Sequence, residues 1–154
     1  MDMNQTDVML RSIKRIPLTN GDVLRAIKAS DSGFSGFGEA YFSYIHNRAI
    51  KAWKLHKRYT ANFICPFGKV KVMVYKEISP GVAAAEYPKE FILSDTDEQY
   101  QCITIPPGIW YGFEGLSNPT SLIFSLLNGE HDQNEQLSLN FDAFTFSRDT
   151  VSHD

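Results

Sequence analysis

The sequence predicts an all-β domain of antiparallel strands, arranged as a sandwich or as a jelly-roll barrel. Short runs rich in β-branched and aromatic residues recur along the chain, and no long amphipathic helix interrupts them. Turn signals such as NG, SDSG, PFG, SPG, PPG and SNP separate these runs. The 154 residues suit one domain with an adequate core. We expect this domain to span 1–147, with 148–154 as a polar tail.

The strand that the pattern defines best is KVKVMVYKEI at 69–78. Val70, Val72 and Val74 share one face there, and lysine, methionine and tyrosine side chains share the other. We therefore expect a strand with two chemically different faces. The other predicted strands are, in chain order, VMLRSIKRI (8–16), DVLRAIK (22–28), EAYFSYI (39–45), TANFIC (60–65), EFIL (90–93), QCITI (101–105), SLIFSLL (121–127) and QLSLNFDAFTF (136–146).

Composition and charge exclude several classes of function. The formal net charge is −3 with acidic and basic residues interspersed, so we expect no nucleic-acid partner. No apolar run approaches the roughly 18 residues of a membrane span, and the N-terminal residues lack the pattern of a signal peptide. Cys65 and Cys102 lie in apolar stretches, which indicates buried free thiols. We expect a cytoplasmic protein with no membrane partner.

The histidine in AIKAWKLH (49–56) is the strongest candidate for chemistry. If this stretch is extended, Ala52, Lys54 and His56 share one face. A lysine two positions before the histidine repels a metal ion, so we expect no metal site there. There is also no G-x-S-x-G elbow and no glycine-rich phosphate loop. A lone histidine on a strand is more often structural, but the neighbouring cations favour general acid–base work.

Two segments resemble a known family. FGEAYFSYIHNRAIKAWKLHKRYTANFICPFGKVKVMVY (37–75) and ITIPPGIWYGFEGL (103–116) resemble the cupin-type dTDP-4-dehydrorhamnose 3,5-epimerases, especially a short branch found among surface-polysaccharide genes, and HDQNE (131–135) continues the likeness. The resemblance implies a cupin-type jelly-roll homodimer that needs no metal or other cofactor. It also implies epimerisation of a nucleotide-diphosphate 4-keto-6-deoxy sugar next to the ketone, in deoxysugar and O-antigen (lipopolysaccharide) biosynthesis.

The resemblance also assigns catalytic roles. His56 matches the histidine that removes the proton, and Lys69 matches the lysine that faces the C4 oxygen. Tyr111 falls where many members have a second histidine, and Phe124 falls where the 3,5-epimerases have a catalytic tyrosine. Family logic adds a carboxylate that fixes the histidine tautomer, for which Asp142 in LNFDAF is our candidate, although an exposed turn residue is as good an interpretation. Because phenylalanine cannot donate a proton, we expect inversion at C3 rather than at C5.

Substrate binding requires cations for the diphosphate and aromatic rings for the sugar and the base. Each candidate has an ordinary alternative as a solvated charge or a core ring. The candidates are Arg48, Lys54, Lys57 and Arg58 as cations, Tyr41, Trp110 and Tyr111 as aromatic residues, and Glu39 and Asn62 as hydrogen-bonding residues.

Two other functions stay open at the level of sequence. A nucleotide-sugar 3,4-ketoisomerase shares this fold and substrate type, but it would show an H-x-H pair where Lys54 replaces the first histidine. A non-catalytic sugar-binding cupin is favoured by the missing family tyrosine and by the missing arginine before GLH, since the chain reads WKLH at 53–56. The epimerase is the preferred prediction.

Overall fold

The protein is described by a computed structural model that covers residues 6–144, and strands dominate it, which confirms the predicted all-β class. Two short 3-10 turns occur, at Asp97–Gln99 and Phe141–Ala143. The strands are β1 (Met9–Ser12), β2 (Arg15–Ile16), β3 (Val23–Leu24), β4 (Glu39–His46), β5 (Ile50–His56), β6 (Ala61–Phe67), β7 (Lys69–Tyr75), β8 (Glu77–Ser79), β9 (Val82–Ala83), β10 (Lys89–Ser94), β11 (Gln101–Ile105), β12 (Trp110–Gly115), β13 (Thr120–Leu127) and β14 (Gln136–Ser138).

Two five-stranded sheets form the body of the fold. The first sheet has the order β1-β11-β6-β13-β4, and the second has the order β10-β7-β12-β5-β14. Every ladder within them is antiparallel. Inward side chains of both sheets meet in one core, to which β7 contributes Val70, Val72 and Val74 and the first sheet contributes Phe63 and Ile123. This is the predicted jelly-roll sandwich.

Three predicted strands are shorter than expected. The run at 8–16 divides into β1 and β2, and the run at 22–28 is a strand only at Val23–Leu24. The C-terminal run ends at Ser138 because the chain turns so that Phe141 stacks on Trp53, at 6.1 Å between ring centroids. Tertiary packing thus overrides strand propensity. The predicted domain end at 147 and the tail lie outside the described residues. None of the short helical turns in residues 6–144 is long and apolar enough to cross a membrane.

A β-bulge in β5 changes which side chains face the core. Tyr111 pairs with Lys54, but the next residue, Gly112, pairs with Ala52, so Trp53 is an extra residue on β5. Phe113 then pairs with Lys51. Tyr111 and Phe113 both point between the sheets, and directly paired residues share a face. Lys51 and Lys54 therefore both point inward, although they are three residues apart.

The ring of the extra residue packs on the outside of the second sheet. Trp53 contacts Met73 and Trp110, and its Nε1–H donates to the carbonyl oxygen of Phe141 at 2.9 Å. Phe144 packs edge-on against it at 5.2 Å between centroids. The C-terminal segment therefore holds the bulged residue against the outer face.

The bulge also requires a glycine on the neighbouring strand. A Cβ on Gly112 would lie 2.4 Å from the Cβ of Ala52 and 3.0 Å from its Cα. We expect Gly112→Ala to push β5 away from β12 and to lower the free energy of unfolding by about 1–3 kcal/mol. Urea unfolding followed by circular dichroism measures this change. An unaltered midpoint and slope would show that the two strands are not in this close contact.

Candidate functional site

A cavity of about 370 Å³ lies between the two sheets, close to the edge strands β4 and β14. This volume is within the range of small-ligand sites. One wall is formed by β4, β6 and β13 of the first sheet, and the other by β5, β12 and β14 of the second. The polar residues that line the cavity are Tyr41, Ser43, Lys51, Lys54, Tyr111, Ser125 and Ser138, and the other lining residues are Ile45, Ala52, Trp53, Phe63, Phe113, Ile123 and Leu139.

A hydrogen-bonded chain of three buried side chains leads into this cavity. His56 ends β5 and is 4% exposed. Its Nδ1 lies 2.8 Å from Oε1 of Glu135, and its Nε2 lies 3.0 Å from the hydroxyl of Tyr111. Because the carboxylate accepts the Nδ1–H, the neutral ring leaves Nε2 unprotonated. The Tyr111 hydroxyl donates to that nitrogen.

Glu135 is buried with enough donors to stay ionised. Its Oε2 accepts the backbone N–H of Arg58 at 3.0 Å and of Tyr59 at 2.9 Å. Burial alone would raise the pKa of Glu135, but the hydrogen bonds from His56 and from these two amides lower it below its usual value. A carboxylate held in this way keeps the imidazole in one tautomer and one orientation.

The environment of His56 favours its neutral form. Burial lowers the pKa of the ring below its ordinary value of 6.5, and the hydrogen bond to Glu135 opposes this shift. Nearby Lys54 lowers the pKa further. The ring is therefore a neutral acceptor at pH 7, which a general base must be.

Tyr111 lies between the imidazole and the cavity. Its ring is stacked near that of His56, with centroids 5.8 Å apart, and it lines the cavity. Burial raises the pKa of its hydroxyl well above 10, so the group is protonated at neutral pH. The hydroxyl therefore lies between Nε2 and the space of the cavity.

The opposite wall carries a second tyrosine. Tyr41 of β4 pairs directly with Ser125 of β13, and the two side chains are hydrogen-bonded. Burial, with help from Glu39, raises the pKa of Tyr41, although the bond to Ser125 opposes the rise. The cavity therefore has a base on one wall and a protonated phenol on the other.

Two of the predicted catalytic residues do not reach the cavity. Lys69 was expected to face inward, but β7 turns Val70, Val72 and Val74 to the core and leaves Lys69 exposed at its first position. Asp142 was expected to orient the histidine. It is exposed in the 3-10 turn at Phe141–Ala143, and Glu135 takes this position instead.

Three predicted binding residues have structural contacts elsewhere. Trp110 does not lie at the mouth of the cavity, because it packs outside the second sheet against Phe144. Asn62 is buried and donates from Nδ2 to the carbonyl oxygen of Gly33 at 3.0 Å. Glu39 accepts the backbone N–H of His131 at 2.8 Å.

Of the four predicted cations, one lines the cavity and three do not. Lys54 lines the cavity. Lys57 and Arg58 follow β5, are exposed and do not line the cavity, and Lys57 Nζ donates to the carbonyl oxygen of Asn134 at 3.1 Å. Arg48 is exposed in the turn between β4 and β5, with a positive φ of 66°, and it does not line the cavity.

Phe124 does not occupy the position of a catalytic tyrosine. Its ring points away from the cavity and packs against Phe42 at 5.5 Å between centroids, whereas its neighbours Ile123 and Ser125 line the cavity. Position 124 therefore does not face the cavity, and the alignment of Phe124 with the family tyrosine stays a prediction. The expectation of inversion at C3 alone loses its structural reason.

Sequence reasoning missed Glu135, Ser125 and Lys51. Glu135 ends HDQNE (131–135), a segment that carries the family likeness, so a search of that segment for a carboxylate would have found it. Lys51 had no signal, because an unbulged strand would turn it outward. Within residues 6–144 no group of three or more histidine, cysteine, aspartate or glutamate side chains is arranged to hold a metal ion. The two cysteines are buried free thiols, as predicted.

Comparison with known proteins identifies related folds. No family model matches the chain. A dTDP sugar isomerase from Desulfovibrio desulfuricans is 31% identical, with a TM-score of 0.82 over 91% of this chain and 89% of that one. A dTDP-4-dehydrorhamnose 3,5-epimerase from Sulfolobus tokodaii is 16% identical, with a TM-score of 0.76 over 99% of this chain and 87% of that one. The second likeness shows the fold alone.

Two further proteins are similar to this chain. A mutant of the 3,4-ketoisomerase QdtA from Thermoanaerobacterium thermosaccharolyticum, in complex with TDP-4-keto-6-deoxyglucose, is 18% identical with a TM-score of 0.69 over 90% of this chain and 91% of that one. A probable low-salt glycan biosynthesis epimerase, Agl13, from Haloferax volcanii is 24% identical over 94 residues. That match covers 60% of this chain and 58% of the relative, so it spans less than two thirds of the relative's length.

The hydrogen bond from Glu135 predicts how His56 titrates. Glu135 opposes the lowering of the His56 pKa, so Glu135→Gln should lower this pKa further, and NMR of the imidazole signals across pH measures it. The pKa of His56 is lower in the folded protein than in the unfolded chain. The free energy of unfolding should therefore fall as the pH drops from 6.5 toward the pKa of the folded protein. Asp142→Asn is the matched control and should leave the titration unchanged. An unchanged or raised His56 pKa in Glu135→Gln would contradict the pairing.

Proposed function

Because the chain belongs to the cupin-type family of nucleotide-sugar epimerases and isomerases typified by dTDP-4-dehydrorhamnose 3,5-epimerase, we propose that it is a cofactor-independent epimerase of a nucleotide-linked 4-keto-6-deoxyhexose. The observation that carries the proposal is the buried chain Glu135–His56–Tyr111, which ends at a cavity of suitable size for a sugar. A neutral histidine held by a carboxylate is suited to removing a proton from a carbon next to a ketone.

The two walls support inversion rather than simple exchange. In the first step the C–H bond next to the ketone breaks, its proton passes to Nε2 of His56, and the electron pair forms an enolate. In the second step Tyr41, on the opposite wall, donates its phenolic proton to the other face of the same carbon. Tyr41 then regains a proton from solvent as His56 loses one. Inversion needs an acid and a base on opposite faces, and these residues belong to different sheets.

The biological setting is the finer part of the proposal. We place the reaction in the cytoplasm, in the synthesis of a deoxysugar for a surface glycan such as O-antigen. The relative from Haloferax volcanii carries the name of a glycan biosynthesis epimerase, which supports this setting. Burial raises the pKa of Cys65 to about 12 and of Cys102 to about 11, so both thiols stay protonated, as suits a reducing compartment.

The position of Tyr111 favours a second candidate, a 3,4-ketoisomerase. Tyr111 and His56 lie on the same wall, 3.0 Å apart. A base that carries the proton from C3 to C4 on one face of the ring, while the C3 hydroxyl gives up its proton and the C4 oxygen gains one, moves the ketone from C4 to C3. Only the product distinguishes this reaction from epimerisation.

Replacing the base tests the proposal. We expect His56→Asn to slow exchange of solvent deuterium into TDP-4-keto-6-deoxyglucose by about 10²–10⁴-fold, because the side chain keeps its approximate size but loses the base. Proton NMR in deuterated water measures exchange and product together. Asp142→Asn should exchange at the wild-type rate.

The product identifies the function. Deuterium at an inverted carbon identifies an epimerase, and the number of labelled carbons shows whether one or two centres react. A shifted ketone identifies the ketoisomerase, and no exchange by the wild-type protein leaves a sugar-binding module. More than about a tenth of the exchange rate in His56→Asn would remove this residue from the mechanism.

We also propose that the chain forms a homodimer through the outer face of the first sheet. Tyr44, Leu122 and Phe67 form one row across β4, β13 and β6, and Phe42 and Phe124 form the adjacent row. Phe42 is 64% exposed, Tyr44 62% and Phe67 58%. Monomers rarely leave such a patch open, and a two-fold dimer pairs one patch with its own copy.

A charge within this patch tests the dimer. Phe42→Asp should convert a particle of twice the 17.5 kDa chain mass into a monomer, because it buries an unpaired carboxylate in the interface. Light scattering after size-exclusion chromatography measures the mass. Ile78→Asp, at an exposed apolar residue of β8, is the matched control and should leave the dimer intact. A monomeric wild-type protein would refute the interface.

A further inference from the structure

We propose that Lys54, not Lys69, is the cation that stabilises the enolate oxygen, and that Lys51 beside it binds the sugar diphosphate. This division of roles rests on the proposed function. It depends on the bulge in β5, which turns both lysines toward the same cavity.

Lys54 lies on the same wall as the base and close to it. The two residues are two positions apart at the end of β5, which separates their Cα atoms by about 7 Å. The charges in this site affect one another. Lys54 lowers the pKa of His56, and Glu135 raises the pKa of Lys54. A ketone oxygen at the ammonium group therefore leaves the neighbouring carbon within reach of the base.

The ammonium group of Lys54 is not committed to a structural partner. Within the part of the chain that the structure describes, it makes no hydrogen bond or ion pair. Neither lysine of β7 is placed to take this role. Lys71 is paired with Glu90 at 3.6 Å and with Glu114 at 3.5 Å outside the cavity, and Lys69 is exposed to solvent.

The depth of the two cavity lysines assigns their roles. Lys54 is partly buried, so a charge that develops beside its ammonium group is poorly screened by water. Burial, together with Lys51, lowers the pKa of Lys54. Lys51 is exposed, which places it where the diphosphate enters. Lys54, the inner cation, therefore stabilises the reacting oxygen, and Lys51, the outer cation, binds the diphosphate, which does not react.

The enolate step balances with these groups alone. The C–H bond next to C4 breaks, and its proton goes to His56. The bonding electrons form the carbon–carbon double bond, and the C4 carbonyl electrons move to oxygen. The ammonium group of Lys54 donates a hydrogen bond to that oxygen, more strongly as its negative charge grows. Protonation at carbon restores the ketone, and Lys54 keeps all its protons.

Three lysine variants separate these roles. With TDP-4-keto-6-deoxyglucose in deuterated water, Lys54→Met should lower kcat for exchange by about 10²–10³-fold with little change in KM. Lys51→Met should raise KM, and the Kd for TDP in calorimetry, by about tenfold with kcat nearly unchanged, which corresponds to about 1.4 kcal/mol. Lys69→Met should match the wild-type protein.

Two additional variants distinguish the loss of the charge from a loss of folding. Lys54→Gln removes the charge but keeps a hydrogen-bond donor, so its rate should lie between those of Lys54→Met and the wild-type protein, and Lys54→Arg should recover at least about tenfold of the loss. Thermal unfolding confirms that each variant is folded. Exchange near the wild-type rate in Lys54→Met or Lys54→Gln overturns the role of Lys54 alone. A wild-type protein without exchange overturns the proposed function and this inference with it.

Discussion

The hydrogen bond between the Glu135 carboxylate and the His56 imidazole is the interaction on which the rest of the site depends. It joins residues 79 positions apart, at 2.8 Å, in a place from which water is excluded. The carboxylate tolerates burial because the amides of Arg58 and Tyr59 also donate to it. These contacts hold the chain after β5 against the segment before β14. The same contacts therefore orient the imidazole and close this end of the fold.

The sheet geometry distributes the remaining chemistry. Alternation along β4 and β13 turns Tyr41 and Ser125 inward from the first sheet, and alternation along β12 turns Tyr111 inward from the second. Neither wall holds a complete acid–base pair for inversion. The distance between sheets, about 10 Å in such sandwiches, leaves room for one flat ring between the walls. The fold thus provides two-sided chemistry through its layers, and the turn before β14 adds the carboxylate that orients the base.

Much of the fold was predictable because its signal is local. Alternation in β7 correctly separated the valines from the lysines, but it does not say which face is inside, and the resemblance wrongly put Lys69 there. His56 was found through a contiguous motif, whereas Glu135 becomes its partner only through a contact across 79 positions. The choice of Asp142 failed because β14 ends at Ser138, where aromatic packing on Trp53 bends the chain. Contacts of this kind leave no periodic trace in a sequence.

The bulge at Trp53 has a consequence for how such sites diverge. One extra residue in β5 sends its own ring to the outer aromatic cluster and leaves Lys51 in the cavity beside Lys54. Removing that residue would restore strict alternation and leave Lys54 and Lys51 on the inward face, on either side of Ala52, while the outer aromatic cluster would lose a ring. The bulge thus lets β5 carry one extra residue without moving either cation out of the cavity. Relatives of this chain can therefore differ in the length of this strand and still keep the charge of the binding site.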